Sequence, residues 1–242
     1  FMHLSVIVPV YNEEKNLANS IHEFTEFLRT KKYTWEIIIV NDGSTDNTEK
    51  IVEDLKRSIP NLRFINNKTN RGKGAAVRQG FLEGRGDFRL FLDADNATTI
   101  DHVDKIWPML ENGCAVVMGS RNKKDAPGAR QEIKQNILKR FLGITGNKII
   151  QTATIRGIRD TQCGFKAFTA DTINKIMPKA EINRWAFDVE FLTIAKKLNL
   201  KIGVIPVVWK NSSESRVSIL GYFFTLWEVV KIKWNLINGK YY

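Results

Sequence analysis

Trp35-Glu36-Ile37-Ile38-Ile39-Val40-Asn41-Asp42 decides the fold class. Its centre is a continuous block of β-branched residues, and it ends on the polar turn Asn41-Asp42-Gly43-Ser44. A strand that does not alternate is covered on both faces, as in a mostly parallel sheet between helix layers. The segments around it agree. LSVIVPV (4–10) reads as a strand, and a helix over roughly 13–31 follows, with Leu17, Ile21, Phe24 and Leu28 at helical spacing. After the central strand, Ser44-Thr45-Asp46 opens a second helix with Ile51, Val52 and Leu55 inward. LRFINN (62–67), a helix over 73–84, strand FRLFLDAD (88–95), a helix near 101–112 and strand AVVMGSR (115–121) continue the alternation. This pattern predicts a doubly wound α/β sheet. The second half is less regular. Residues 130–155 read as one or two basic helices, Thr172–Met177 and Phe187–Leu198 as helices, KIGVIPVVW (201–209) as a strand and 218–238 as an aromatic-rich helix.

Composition narrows the class. The 242 residues are 43% apolar with 6 Pro and 16 Gly, enough to bury a core, which excludes disordered and collagen-like chains. Two cysteines, Cys114 and Cys163, are too few for a secreted disulfide framework and suit a reduced, intracellular protein. Leu4–Val10 lacks a basic flank and a small-residue cleavage site, so it reads as a strand and not a signal peptide. The net charge of +11 is uneven: residues 1–120 hold 15 basic and 17 acidic side chains, residues 121–160 hold 10 and 3, and residues 161–242 hold 12 and 6. The excess therefore lies in the second half and points to an anionic partner.

Four strand ends finish in polar residues: Pro9-Val10-Tyr11-Asn12-Glu13, Asn41-Asp42-Gly43-Ser44, Asn66-Asn67 and Asp93-Ala94-Asp95. Ligands of open α/β sheets bind at the carboxyl ends of strands. Alone, Asp42-Gly43 reads as a turn with a helix cap, and Asp93 or Asp95 as a loop cap; at successive strand ends they converge on a site. Asp93 and Asp95, one residue apart, are oxygen ligands suited to a hard divalent cation, Mg²⁺ or Mn²⁺, shared with substrate phosphates. The histidines His3, His22 and His102 are scattered and no dense His/Cys cluster exists, which argues against zinc. Arg71-Gly72-Lys73-Gly74 suggests a nucleotide- or phosphate-contacting loop before a helix N-terminus. Neither G-x-x-x-x-G-K-[ST] nor G-x-G-x-x-G is present, so the ATPase and dinucleotide readings lose their support.

VIVPVYNEE (6–14), VNDGSTDNT (40–48), NRGKGAA (70–76), DAD (93–95) and GSR (119–121) together resemble the inverting family 2 glycosyltransferases of the GT-A fold. GIRDTQCGFKAFT (157–169) and RWAFDVEFLTIA (184–195) resemble the dolichyl-phosphate β-glucosyltransferase branch, with the polyprenyl-phosphate mannose synthases next. The resemblance implies a GT-A domain over 1–216, with a nucleotide-binding half to 121 and an acceptor half from 122, and an amphipathic membrane-associating segment over 217–242. It implies that Pro9, Tyr11 and Glu13 line a nucleoside pocket, that Asp42 reads base or ribose, and that Arg71 and Lys73 lie beside the nucleotide. Asp93 and Asp95 would hold the metal on the sugar-nucleotide diphosphate with Ala94 beside the nucleotide sugar, Arg216 would reach that diphosphate, and Arg121 and Arg130 would grip the acceptor phosphate. Asp160, Gln162, Arg184 with Trp185, and Asp188 would act around the sugar. The expected reaction is transfer of glucose from UDP-glucose to dolichyl or polyprenyl phosphate, the alternative a GDP-mannose donor. A lipid monophosphate is mostly dianionic at pH 7, with a second pKa of about 6. Such a nucleophile needs positioning cations more than a general base, so the catalytic candidates Asp160 and Asp188 read as sugar-positioning or assisting groups, with a base role left open but not required. Asp188 has plainer alternatives, a helix-surface charge or a pair with Arg184 four residues away.

Residues 219–237 hold 13 apolar residues in 19, interrupted by Glu228, Lys231 and Lys233. Crossing a bilayer takes about 20 predominantly apolar residues, so a helix lying in the interface fits better, aromatics down and lysines at the headgroups. Lys134, Lys139, Arg140 and Lys148 beside Ile137, Leu138, Phe141 and Leu142 offer a second basic helix. Simple packing of both helices on the domain is the alternative. The expected place is peripheral, on the cytoplasmic face of the cytoplasmic membrane or endoplasmic reticulum. A noncatalytic nucleic-acid- or membrane-binding module is the competing class; the acidic metal-type site beside the basic half speaks against a nucleic-acid partner.

Overall fold

The apolar blocks become strands with both faces covered, in a computed structural model that describes residues 3–131, 146–210 and 219–242. The main sheet contains β1 (His3–Val10), β2 (Thr34–Asp42), β3 (Leu62–Asn67), β4 (Phe88–Leu92), β5 (Val116–Ser120), β7 (Phe165–Thr169) and β8 (Ile202–Pro206). Their order is β3-β2-β1-β4-β7-β5-β8. Every neighbouring pair is parallel except those of β7, which runs antiparallel to β4 and β5. Two short strands, β6 (Arg130–Gln131) and β9 (Val208–Trp209), pair separately.

Ile37 and Ile39 join Val6, Val8, Leu90 and Leu92 on one face, beneath α1 (Leu17–Arg29) and α2 (Thr48–Ser58). Ile38 and Val40 join Ile7, Phe91, Val116 and Met118 on the other. That second face carries α3 (Lys73–Glu83), α6 (Ala170–Ile176), α7 (Phe187–Lys197) and α8 (Ile219–Ile237). One unbroken apolar strand thus feeds two cores. In the second core Phe81, Phe168, Phe187 and Phe191 meet edge-on with centroids 5.1 to 6.3 Å apart. Each such pair adds about 0.5–1.5 kcal/mol beyond its buried area. α8 contributes Val229 and Ile232 to this core and Tyr241 follows it in, so the C-terminal segment is packed on the domain. Among the described residues, no helix is long and apolar enough to cross a membrane.

Several expected boundaries move. The helix expected from 13 begins at Leu17, and the one expected from Ser44 begins at Thr48. The two turns lock each other: Thr45 N–H donates to Asn12 Oδ1 at 2.8 Å, Asn47 N–H to Glu14 Oε2 at 3.1 Å and Glu13 N–H to Thr48 Oγ1 at 2.8 Å. These bonds tie the two turns to each other ahead of both helices. Strand 88–95 stops at Leu92, and 101–112 divides at Ile106 into a 3-10 turn, Ile100–Lys105, and α4, Trp107–Glu111, with Pro108 in the first turn of α4. Strand 201–209 breaks between β8 and β9. Arg130 opens a strand and not a helix; helix α5 covers 146–153, and Lys134, Ile137, Leu138, Lys139, Arg140, Phe141 and Leu142 lie outside the described residues. β7 was not foreseen at all.

Candidate active site

β1, β2 and β3 build the sheet in one direction and the chain returns to place β4 on the other side of β1. The reversal leaves a crevice at the carboxyl ends of β1 and β4. Their ladder stops at Ile7–Phe91, two residues before the buried Pro9, which has no N–H to extend it. Beyond it Tyr11 is 41% exposed and Glu13 is half-buried, while Asp93 and Asp95 are half-buried just past β4. The antiparallel course of β7 brings its N-terminus, and the 157–164 motif before it, to the same edge. Gly164 fits because a Cβ there would collide with the Asp93 carboxylate, while the Asp93 N–H donates to the Gly164 carbonyl at 3.3 Å.

Lys73, the first residue of α3, lies 2.6 Å from Asp93 Oδ1. Burial opposes its charge, yet Asp93 beside it, helped by Asp188 and Asp95, lifts the ammonium above its usual range. Lys166, opposite Phe91 and Met118 in mid-strand, is 1% exposed and lies 2.8 Å from Asp188 Oδ1. Burial pushes the Asp188 carboxyl upward against the pull of Lys166. The partner of Asp188 is therefore Lys166, not Arg184, and the surface-charge alternative is corrected: Asp188 sits in the core side of the first turn of α7. Lys166 is the member of this cluster that the sequence reading missed; a lysine inside FKAF carries no signal of what it will face.

Arg121 meets Asp160 through Nη2 and Nε at 2.7 and 2.8 Å, and its own N–H donates to the same carboxylate at 2.7 Å. Burial works against the Asp160 charge, but Arg121 outweighs it and holds the carboxyl below its usual range. A carboxylate held ionised in this way is a poor proton acceptor, so Asp160 suits positioning. The Arg121 guanidinium also lies 5.4 Å from the Trp209 ring centroid on β9. Arg130 is exposed on β6, which pairs with β9. His102, scattered in sequence terms, is buried and accepts the Val208 N–H at 3.1 Å, seating β9.

Arg71 and Gly72 N–H donate to the two Asp42 oxygens at 2.8 Å each, and Gly74 and Ala75 N–H donate to the Arg184 and Asn183 carbonyls at 3.2 and 3.0 Å. Gly72 has φ +103°, and a Cβ there would collide with the Asn183 carbonyl. Four of the backbone donors at this helix start are thus taken up within the protein, which leaves the Arg71 and Lys73 side chains as the loop's groups for a nucleotide or phosphate. What the structure shows Asp42 doing is anchoring this turn. The Arg71 side chain donates to Asn67 and Gln79. Gln162 donates to the Trp185 carbonyl at 3.3 Å, and Arg184 is exposed beside it. Arg216 lies outside the described residues.

Lys73, Lys166 and Arg121 stand against Asp93, Asp95, Asp160 and Asp188, a cluster with one more carboxylate than cations. Among the described residues no group of three or more His, Cys, Asp or Glu is placed to hold a metal ion. Asp93 and Asp95, oxygen donors on a half-open edge, fit a hard cation whose remaining ligands are water and substrate oxygens.

The family profile for Glycosyl transferase family 2 matches residues 5–176. The chain belongs to this family. Relatives of this glycosyltransferase include a dolichyl-phosphate beta-glucosyltransferase of Trichomonas vaginalis, 38% identical over 239 residues, covering 96% of this chain and 73% of that one. The Saccharomyces cerevisiae dolichyl-phosphate beta-glucosyltransferase is 36% identical over 233 residues, covering 89% and 69%. Among solved structures, the fold is shared with the Mycobacterium tuberculosis glucosyl-3-phosphoglycerate synthase bound to Mn2+, UDP and phosphoglyceric acid, with TM-score 0.71 and 16% identity, covering 96% of this chain and 78% of that one. The GT-A fold expected of this glycosyltransferase is thus present: a mostly parallel sheet flanked by helices.

Proposed function

We propose that this glycosyltransferase moves glucose from UDP-glucose to dolichyl phosphate or another polyprenyl phosphate, inverting the anomeric centre. The observation that carries the reading is the cluster at one sheet edge: Asp93 and Asp95 beside Lys73, with Arg121 and Asp160 across from them. Its support from relatedness is the dolichyl-phosphate beta-glucosyltransferases that match most of the chain. Asp93 and Asp95 would hold Mg²⁺ or Mn²⁺, which would supply charge stabilisation for the leaving diphosphate. Tyr11 and Glu13 flank the nucleoside side of the crevice, with Pro9 and Asp42 shaping it from beneath. Lys73 and Arg71 add positive charge on the diphosphate side. Asp160 and Gln162 face the sugar, with Arg184, Trp185 and Asp188 near; Asp160 cannot serve as a strong base while Arg121 holds it ionised. Arg121 and Arg130, on elements joined through β9, are the acceptor-phosphate candidates.

The lipid acceptor calls for a membrane surface. Phe223, Trp227, Val230, Trp234 and Ile237 are each 57% to 70% exposed and fall on one side of α8. Aromatic side chains of this kind favour the bilayer interface, which supports peripheral attachment. Lys233 is exposed for headgroups, whereas Lys231 lies 3.8 Å from Glu181 and is partly turned to the protein.

A donor screen tests the reading. UDP-glucose, UDP-GlcNAc and GDP-mannose are offered with a short polyprenyl phosphate and Mg²⁺ or Mn²⁺, and the lipid product is identified by mass spectrometry. Glucosyl phospholipid from UDP-glucose is expected; product from GDP-mannose alone would replace the glucose assignment.

A further inference from the structure

The crevice and the exposed apolar helix are joined by one carboxylate. Glu228 lies on α8, on the side turned to the protein, between the core residues Val229 and Ile232 and the exposed Trp227. Its Oε2 accepts the N–H groups of Trp185 and Ala186 at 2.9 Å each, and its Oε1 accepts the Arg184 N–H at 3.3 Å. Three consecutive amides converging on one carboxylate form an anion nest just ahead of α7, whose N-terminal end also favours negative charge. No side chain of α7's own caps that end.

The segment so held touches three of the pieces that build the crevice: the start of α3, the 157–164 motif and the start of α7. The Asn183 and Arg184 carbonyls accept the first amides of α3, the helix that starts with Lys73. The Trp185 carbonyl accepts from Gln162 at 3.3 Å. Arg78 reaches the Ala180 carbonyl and Asn183 Oδ1 at 2.8 Å each. Ala186 leads directly into Phe187, which packs on Phe91 of β4, and into Asp188. We propose that Glu228 is a positioning residue for the donor site: from α8 it fixes residues 184–186, and through them the start of α3 with Lys73 and the start of α7 with Asp188. This rests on the crevice being the nucleotide-sugar site. It makes the seating of α8 a condition for donor binding.

The full chain and its Glu228→Gln and Glu228→Ala variants provide the test. Gln keeps one carbonyl oxygen but loses the charge, so it is expected to fall between the other two. Amide hydrogen exchange of residues 184–186, read without ligand, is expected to quicken at least tenfold in Glu228→Ala; unchanged exchange overturns the anchor. A displacement of about 1 Å in a catalytic constellation can cost on the order of a hundredfold. We therefore expect UDP affinity in MnCl2, by calorimetry, and kcat/KM for the donor to fall about tenfold or more, with acceptor KM within about twofold. Donor affinity unchanged despite faster exchange makes the contact merely structural and overturns the proposal. If Glu228→Ala does not fold, Glu228→Gln decides, since its melting temperature and donor affinity are read on the same sample. Failure of UDP to bind the wild type counts against the crevice assignment, while the exchange rates still judge the anchor alone.

Discussion

At the carboxyl edge of the sheet, Lys73 faces Asp93 across 2.6 Å with the two side chains 31% and 30% exposed. Lys166 faces Asp188 across 2.8 Å with side chains 1% and 7% exposed. The residue types are the same and the separations nearly so, but water reaches only the first pair. A water-exposed ion pair gains little and exchanges partners readily. A buried one has given up two hydration shells, and each charge then depends on the other. The first pair suits a site where a metal ion and phosphates come and go; the second suits a fixed support beneath it.

The sharpest way to break this contrast is to remove one member of the buried pair. Lys166→Met leaves Asp188 uncompensated and should lower stability by about 3–5 kcal/mol. In a domain of this size that is a fall in melting temperature of roughly 10 °C. Combining it with Asp188→Leu should return most of the loss, because a well-packed apolar pair often equals a buried ion pair. Calorimetric unfolding of the single and double variants decides; a single variant that melts with the wild type would show that the pair is wetter than its geometry.

Next in size is the open side. Asp95→Ala should cut transfer at least about a thousandfold, the scale of losing charge stabilisation in a transition state, while its melting temperature stays within about 2 °C. Retained metal-dependent activity would remove Asp95 from the metal site. The contrast with Lys166→Met is then double: activity lost without stability on one side, stability lost on the other.

What the sequence disclosed follows the same division. Strands β1, β2, β4 and β5 announced themselves as apolar runs closed by polar residues, β3 by its place in the strand–helix alternation, and Asp93-Ala94-Asp95 stood out because it follows such a run. β7 did not, because FKAFT places a lysine where a covered strand should be apolar and follows no strand–helix alternation. Its reason is tertiary: Lys166 finds Asp188, 22 positions on, only after α7 docks. Arg121 and Asp160 lie 39 residues apart and meet by the same kind of closure. The residues before α1 and α2 form two turns cross-linked over more than 30 positions, a long-range pairing that no local propensity reports.

Arg121 and Asp160 are intermediate in exposure, 22% and 9%, and should be intermediate in effect. Hydrogen bonds to charged groups contribute about 1.5–3 kcal/mol, so Arg121→Gln should destabilise by that order at pH 7. Asp160 is held below its ordinary pKa in the folded protein. Its contribution is therefore fully present above the unfolded value of about 3.9 and is lost as pH falls through the folded value. The stability difference between wild type and Arg121→Gln should thus shrink below about pH 4. Denaturant titrations at several pH values would measure it. A difference of constant size down to pH 3 would mean that the effect is packing and not the charge pair. If Arg121 also grips the acceptor phosphate, the acceptor KM rises in this variant while the donor KM does not.

The smallest change in stability belongs to Lys73. With both side chains about a third exposed, Lys73→Met should cost under about 1 kcal/mol. Its effect should appear in cation binding. Lys73 Nζ lies 2.6 Å from Asp93 Oδ1, so a divalent ion taking that oxygen must move the ammonium aside. Removing the ammonium removes this competition, and Mn2+ should bind the nucleotide-free variant more tightly than the wild type. Once a diphosphate is present the order should reverse, because Lys73 then has an anion to meet and its loss leaves that charge uncovered. Mn2+ titration by electron paramagnetic resonance, with and without UDP, reads both signs in one experiment. Equal Mn2+ affinity in the two free proteins would show that Lys73 and the metal do not share Asp93, and the two pairs at this edge would then differ in hydration alone.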